Sequence, residues 1–258
     1  MPQVSTPATA QEINEASLDE LLDAARAKFE VHFEPVTVDG QPFQVLQISD
    51  MERYVDQLAD QAGDGPLELP FWAKLWPASV LLAYYAKRFQ PKPGQRALEM
   101  GAGVGLTGLV AASKGYDTVI SDIETDALIF SRANILKNGL ENKASVARVD
   151  FGADKERDTL TDRFDLILGA EVLYIEDTYR PLTKFIGRHL ATGADAECVL
   201  SMSYTRKAHG FFQRAEKEFN IQQQVMGFKA NESEDGDDPE RFLCALYRLT
   251  QRKAGSAA

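Results

Sequence analysis

Four short stretches of this chain hold residue types at spacings that could do chemistry. The first is Glu99-x-Gly101-x-Gly103-x-Gly105, where an acidic residue closes a short apolar run and glycines alternate before an apolar helical pattern. Glycines there let the backbone approach a ligand and take positive φ without steric cost. The helix start behind them offers unpaired N–H groups. Alone, the stretch reads equally well as an ordinary strand-to-helix turn. The second is Ser121-Asp122, its carboxylate 21 positions after Gly101. An acidic residue at that distance can accept both hydroxyl protons of a ribose. The third, Asp150-Phe151, sets an acceptor beside an aromatic face, which suits an exocyclic amine on a flat base. The fourth, Gly169-Ala170-Glu171-Val172-Leu173-Tyr174, adds a carboxylate and a phenol.

All four stretches fall at strand ends. From Gln95 onward apolar runs alternate with helical patterns: strand 97–100, helix 105–114, strand 117–121, helix 125–138 and strand 144–149. Strand 164–169, helix 177–190, strand 196–202 and helix 208–219 continue the series. Two last strands, 221–228 and 241–249, are joined by an acidic loop, 231–240, and no helix. This predicts an α/β fold: a doubly wound, seven-stranded, mostly parallel sheet with an antiparallel C-terminal strand. In such a sheet a ligand lies beyond the carboxyl ends of the strands. The four tips together suit an adenosine-bearing cofactor better than any one does.

Residues 1–68 have another rhythm and read as an N-terminal extension. Met1 to Glu12 reads as a frayed tail, and Ser17-Leu-Asp-Glu20 opens a helix through a capping box. Two alternating runs flank Asp39-Gly40 as a hairpin, and Met51 to Gln61 suits a short helix. Residues 69–250 form the main domain and 251–258 a tail. At its start Trp72 and Trp76 precede Pro77, a residue suited to a first helical turn.

With 258 residues the chain can bury a core without staples. A net charge of −11 argues against nucleic acid held by bulk electrostatics and suits cationic partners. No apolar run can span a membrane, and no secretory signal is visible. Cys198 and Cys244 lie in apolar runs as buried thiols, which fits a reducing cytoplasm, and no metal-ligand spacing is present. A hydrolase triad is disfavoured because Gly-x-Ser-x-Gly is missing, and His32, His189 and His209 lie away from the strand tips.

Leu106 stands where the dinucleotide fingerprint needs its third glycine, and no Gly-Lys-Ser/Thr phosphate loop occurs. The glycine stretch therefore suits a non-phosphorylated ligand with an amino-acid tail. Together with Leu75-Trp76-Pro77, Ser121-Asp122, Asn134, Asn138 and Glu171-Val-Leu-Tyr174, it resembles the class I, seven-strand S-adenosylmethionine-dependent methyltransferases. Within them the likeness is to family 16, many of whose members methylate protein lysines. The resemblance implies that Glu99, Gly101, Gly103 and Gly105 surround the methionine part of the cofactor. Asp122 would bind the ribose, and Asp150 with Phe151 the adenine, Phe151 standing where many relatives have Trp. Trp76 would pack beside the cofactor and the substrate entrance. Ala170 would flank the cofactor, and Ala170 to Tyr174 would border an acceptor lysine.

An acceptor amine must be uncharged to attack a sulfonium. The expected roles follow: Glu171 orients the amine and Tyr174 caps it. The acceptor is a lysine-bearing protein or, in a second reading, a small molecule; a third reading is a non-catalytic adenosine-cofactor binding module. A monomer, without metal or nucleic acid, is expected.

Overall fold

The computed structural model describes residues 7–62, 65, 69–151, 160–229 and 241–252. The acidic loop 231–240 and most of the 251–258 tail lie outside these. Helix α1 (Ala10–Glu15) and helix α2 (Leu18–Arg26) lead into a hairpin of β1 (Val31–Val38) and β2 (Gln41–Ile48). Its turn has Asp39 at φ 49° and Gly40 at φ 75°, the left-handed pair that a tight hairpin requires. Helix α3 (Met51–Ala62) follows. The expected frayed tail is corrected: α1 occupies its end, with Thr9 and Glu12 forming a capping box. Asn14 then fixes the helix to the sheet, donating to the carbonyl of Val146 and accepting from its N–H.

The main sheet is built from β3 (Arg96–Met100), β4 (Asp117–Asp122), β5 (Ala144–Arg148), β6 (Leu166–Ala170), β7 (Glu197–Ser203), β8 (Phe219–Lys229) and β9 (Arg241–Gln251). Its order is β5-β4-β3-β6-β7-β9-β8. As expected, β9 alone runs antiparallel, inserted between β7 and β8. Helices α4 (Pro77–Ala86), α5 (Leu106–Ser113) and α6 (Thr125–Lys137) precede or join the strands of one half. In the other half lie α7 (Tyr179–His189) and α8 (His209–Ala215). Helix α8 is shorter than the expected 208–219. Phe219 is needed fully buried as the first residue of β8, so the chain leaves the helix before it.

The chain winds outward from β3 to β5, then crosses back to β6. The β3/β6 pair is therefore the switch point where a ligand crevice forms. Along β3, Leu98 and Met100 pack with α7 and α8, whereas Ala97 and Glu99 face α5. That alternation puts an acidic side chain on the inner side of the crevice.

The extension shares one apolar core with this face: Leu21, Phe43 and Leu46 cluster with Leu109, Phe130 and Ile135. Helix α6 is consequently buried nearly all round, from Ala127 to Ile135, instead of presenting one apolar side. Asn134 of α6 and Asn138, the residue that caps its C-terminus, act as joints. Asn134 accepts from Leu46 N–H (2.7 Å) and donates to the Val104 carbonyl (2.8 Å). Asn138 accepts from Gln44 N–H (2.9 Å) and donates to its carbonyl (2.8 Å), serving as a strand partner for the hairpin edge. Asn134→Ala leaves two backbone groups in the core without partners, each costing about 1–3 kcal/mol. Urea denaturation should show a loss of about 2–6 kcal/mol with an unchanged denaturant slope.

Candidate active site

A cavity of about 450 Å³ lies across the carboxyl ends of β3, β4, β5 and β6. All the site residues expected from the sequence line it except Gly105, which caps the N-terminus of α5. The glycine stretch has its three glycines at φ 57°, 56° and 78°. The nearest obstacle is the protein itself. A Cβ on Gly103 would sit 2.4 Å from the Trp72 carbonyl oxygen, and one on Gly105 2.7 Å from Ser131 Oγ. Leu106, the residue that breaks the dinucleotide pattern, starts α5 and is buried at the cavity wall.

Two carboxylates lie beneath this loop. Glu99 Oε2 accepts from Gly108 N–H at 2.7 Å, capping an orphan donor of α5 from the neighbouring strand. Burial pushes its carboxyl up to about 8, against the opposing hydrogen bonds from Gly108 and Thr107; nearby Asp122 adds to the rise. Asp122 Oδ2 accepts from Gly103 N–H (2.8 Å) and Oδ1 from Glu124 N–H (3.0 Å). Its carboxyl is also raised by burial, with the N–H groups of Glu124, Gly103 and Ile123 pulling the other way. Each oxygen keeps a lone pair for a further donor.

Phe151 lies beside Phe185, ring centroids 6.5 Å apart, with Asp150 next to it on the cavity wall. The two tryptophans part company. Trp72 packs edge-on against Phe130 (5.0 Å) and Phe29 (5.7 Å), so it is both core and cavity wall. Trp76 donates Nε1–H to the Phe71 carbonyl (3.0 Å) at the mouth, and Lys74 Nζ stands 5.0 Å from its ring centre.

At the tip of β6, Glu171 is held at φ 54°, a conformation that costs a residue with a Cβ about 1–3 kcal/mol. Its N–H donates to the Ser201 carbonyl (2.8 Å). Its carboxylate accepts from Ser203 N–H (2.7 Å) on one oxygen and from Arg206 Nε (2.8 Å) on the other. Tyr174 is 60% exposed at the mouth, with Leu69, Phe71, Ile123 and Ile175 as exposed apolar neighbours on the same rim.

Arg206 and the apolar rim were not legible as site residues in the motifs. Arg206 follows β7, and extending the strand-tip rule to that strand would have reached it. Among the described residues no cluster could hold a metal ion. The donor set fits a different group: carboxylates and backbone polar atoms at one end of the cavity, aromatic faces at the other. This chemistry suits a cationic sulfonium ligand carrying an amino-acid tail, a ribose and a base.

Glu99 gives a measurable signature. Its folded-state value of about 8 lies above its ordinary 4.5, so the folded chain keeps a proton that the unfolded chain has released. That contribution is full below the unfolded value and is lost as pH rises towards about 8. Glu99→Gln should therefore flatten the fall of stability across this range, read by denaturant unfolding at a series of pH values.

A model of the lysine methyltransferase family matches residues 71–220. Mouse protein N-lysine methyltransferase METTL21A is 33% identical over 153 residues, covering 58% of this chain and 69% of that protein. Mouse EEF1A lysine methyltransferase 3 is 33% identical over 147 residues, 55% of this chain and 61% of that one. Among solved structures, an S-adenosylmethionine-dependent methyltransferase from Agrobacterium tumefaciens superposes with a TM-score of 0.55 at 15% identity, over 86% of this chain and 71% of that one. The tRNA (uracil-54, C5)-methyltransferase of Pyrococcus abyssi, in complex with S-adenosyl-L-homocysteine, gives 0.52 at 14%, over 84% and 44%. At such identities these two establish the fold alone. The match of that family model over more than half of its length makes this chain a member of the lysine methyltransferases, enzymes that use S-adenosylmethionine.

Proposed function

We propose that this enzyme methylates the side-chain amine of a lysine on the surface of a protein. The observation that carries the reading is the open apolar mouth around Tyr174, set against a carboxylate-lined interior. An enclosed cavity would suit a small molecule; an exposed rim suits a side chain presented by a larger surface. The relatives named above as protein lysine methyltransferases support the same choice.

Bound in the cavity, the cofactor would supply an electrophilic sulfonium methyl for transfer to the amine, the C–S bond pair leaving with sulfur. Glu99 and the glycine loop would hold its amino-acid end, Asp122 the ribose hydroxyls, and Asp150 with Phe151 the base. Ala170 and Trp76 would wall it in. The residues of the mouth handle the acceptor. A free lysine amine has a pKa of about 10.4, and an apolar channel lowers it by desolvation. Glu171, with a lone pair left on each oxygen, would accept from the uncharged amine and direct its lone pair inward. Tyr174 would cap the amine through its hydroxyl, its ring lying along the alkyl stem. The same reading takes the protein as a cytoplasmic monomer that meets no nucleic acid, with Cys198 and Cys244 as buried free thiols.

Incubation with methyl-labelled S-adenosylmethionine and a lysate of the source cells, then mass spectrometry, tests this. Label on a lysine of a discrete protein band is expected; label confined to small molecules would sink the protein-substrate reading. Glu171→Gln and Tyr174→Phe should each lower kcat/KM by about 10- to 100-fold, equivalent to about 1.4–2.7 kcal/mol of transition-state stabilisation. Cofactor binding by calorimetry should stay close to wild type in both. Wild-type turnover in either variant would remove that residue from the acceptor site.

A further inference from the structure

We propose that Arg206 is the positioning residue that keeps the acceptor amine uncharged, by neutralising Glu171 at the acceptor end of the cavity. The inference rests on the amine-acceptor reading above.

Glu171 is largely buried, its side chain 14% exposed, and a carboxylate in that state needs a partner. Arg206 supplies it. Its backbone N–H donates to the Ser203 carbonyl (3.0 Å), folding the chain after β7 back towards the cavity. Its Nε then meets Glu171 Oε2 at 2.8 Å. The guanidinium is a fixed cation, so its contact balances the negative charge of the carboxylate it touches.

Consider Glu171 without that partner. An incoming lysine would meet a buried, unpaired carboxylate and be held as the ammonium. An opposite charge within about 4–6 Å shifts such a group by about 1–3 pKa units towards its charged form. An ammonium has no lone pair with which to attack. The carboxylate that orients the acceptor would then also trap it in an inert state. Arg206 separates the two effects: Glu171 keeps acceptor lone pairs but loses its attraction for a cation.

Other charged groups face this corner from every side. Tyr174 is raised by desolvation, then by Asp122 and Glu124 beyond β4, with Arg206 pulling it down. Tyr179, at the start of α7, is raised by burial and by Glu176, again against Arg206. Cys244 on β9 is raised by burial and by Glu171. Lys74, Glu99 and Asp150 also line the cavity. Arg206 is the cation that touches Glu171, and its charge reaches both tyrosines.

The test is the pH profile of kcat and KM for the full chain, with saturating S-adenosylmethionine. The acceptors are n-butylamine, which is the lysine side chain without its backbone, and the protein band identified by labelling. Limbs in kcat report groups within the substrate complex. In Arg206→Gln the acidic limb should move up by about one unit, a roughly tenfold loss of kcat on the acidic side that closes as pH rises. KM should fall in the same variant, because the ammonium now binds well but unproductively. Arg206→Lys should keep the wild-type limb. The double variant Arg206→Gln with Glu171→Gln should return the limb towards its wild-type position, whatever its rate. Binding of S-adenosylhomocysteine by each variant checks that it is folded. An equal loss of kcat at every pH in Arg206→Gln, or a limb that stays displaced in the double variant, overturns the role of Arg206 and leaves the amine reading standing. Failure of the wild type to methylate either amine at any pH overturns that reading, and this proposal with it.

Discussion

The backbone N–H of Gly103 donates to the buried carboxylate of Asp122, and the rest of the site depends on that bond. It joins the loop after β3 to the tip of β4, so neither strand end moves alone. Other bonds converge on the same loop. Ser131 of α6 donates to the Gly103 carbonyl (2.8 Å), Asn134 to that of Val104, and Ala102 N–H to the Ser121 carbonyl. A loop of alternating glycines has much backbone entropy to lose on binding. Here the loss is taken during folding, and the loop meets a ligand already shaped.

The two ends of the cavity solve opposite electrostatic problems. At the β3/β4 end, burial raises both Glu99 and Asp122 against the N–H groups that hydrogen-bond to them, so a cation entering there offsets the cost of burying negative charge. At the β6/β7 end the carboxylate of Glu171 is already matched by Arg206. A sulfonium needs negative charge nearby, whereas an amine that must attack needs its absence. On the proposed function, the β3/β6 switch point keeps the two demands apart.

Much of this was legible because strand tips are where an open sheet places its chemistry. The alternation of apolar runs with helical patterns gave all seven strands, and Asp122 and Asp150 followed from position alone. What the pattern lost has physical causes. Helix α1 is only six residues long, too short for an apolar period to stand out; its capping box of Thr9 and Glu12 was the available sign. Helix α6 reads as one-sided, but the extension covers its other side, and no local pattern reports a distant segment. Arg206 stood in a polar run after β7, where only its pairing with Glu171 distinguishes it from a solvated charge.

Among the described residues the extension contributes none to the cavity lining, yet its effect on the site can be traced. Phe29, just after α2, packs edge-on against Trp72, and both rings meet Phe130 of α6. The Trp72 carbonyl in turn lies where a Cβ on Gly103 would be, so the backbone before α4 rests directly on the glycine loop. Gly103 is thus pressed between Asp122 below and Trp72 above. Trp72 holds that place because the extension fills the space behind its ring. The same segment continues to Phe71 and Trp76, whose hydrogen bond shapes the mouth. A two-stranded hairpin with short helices would have little stability alone. Seated on α6, it becomes the backing of a wall that touches both the glycine loop and the mouth of the cavity.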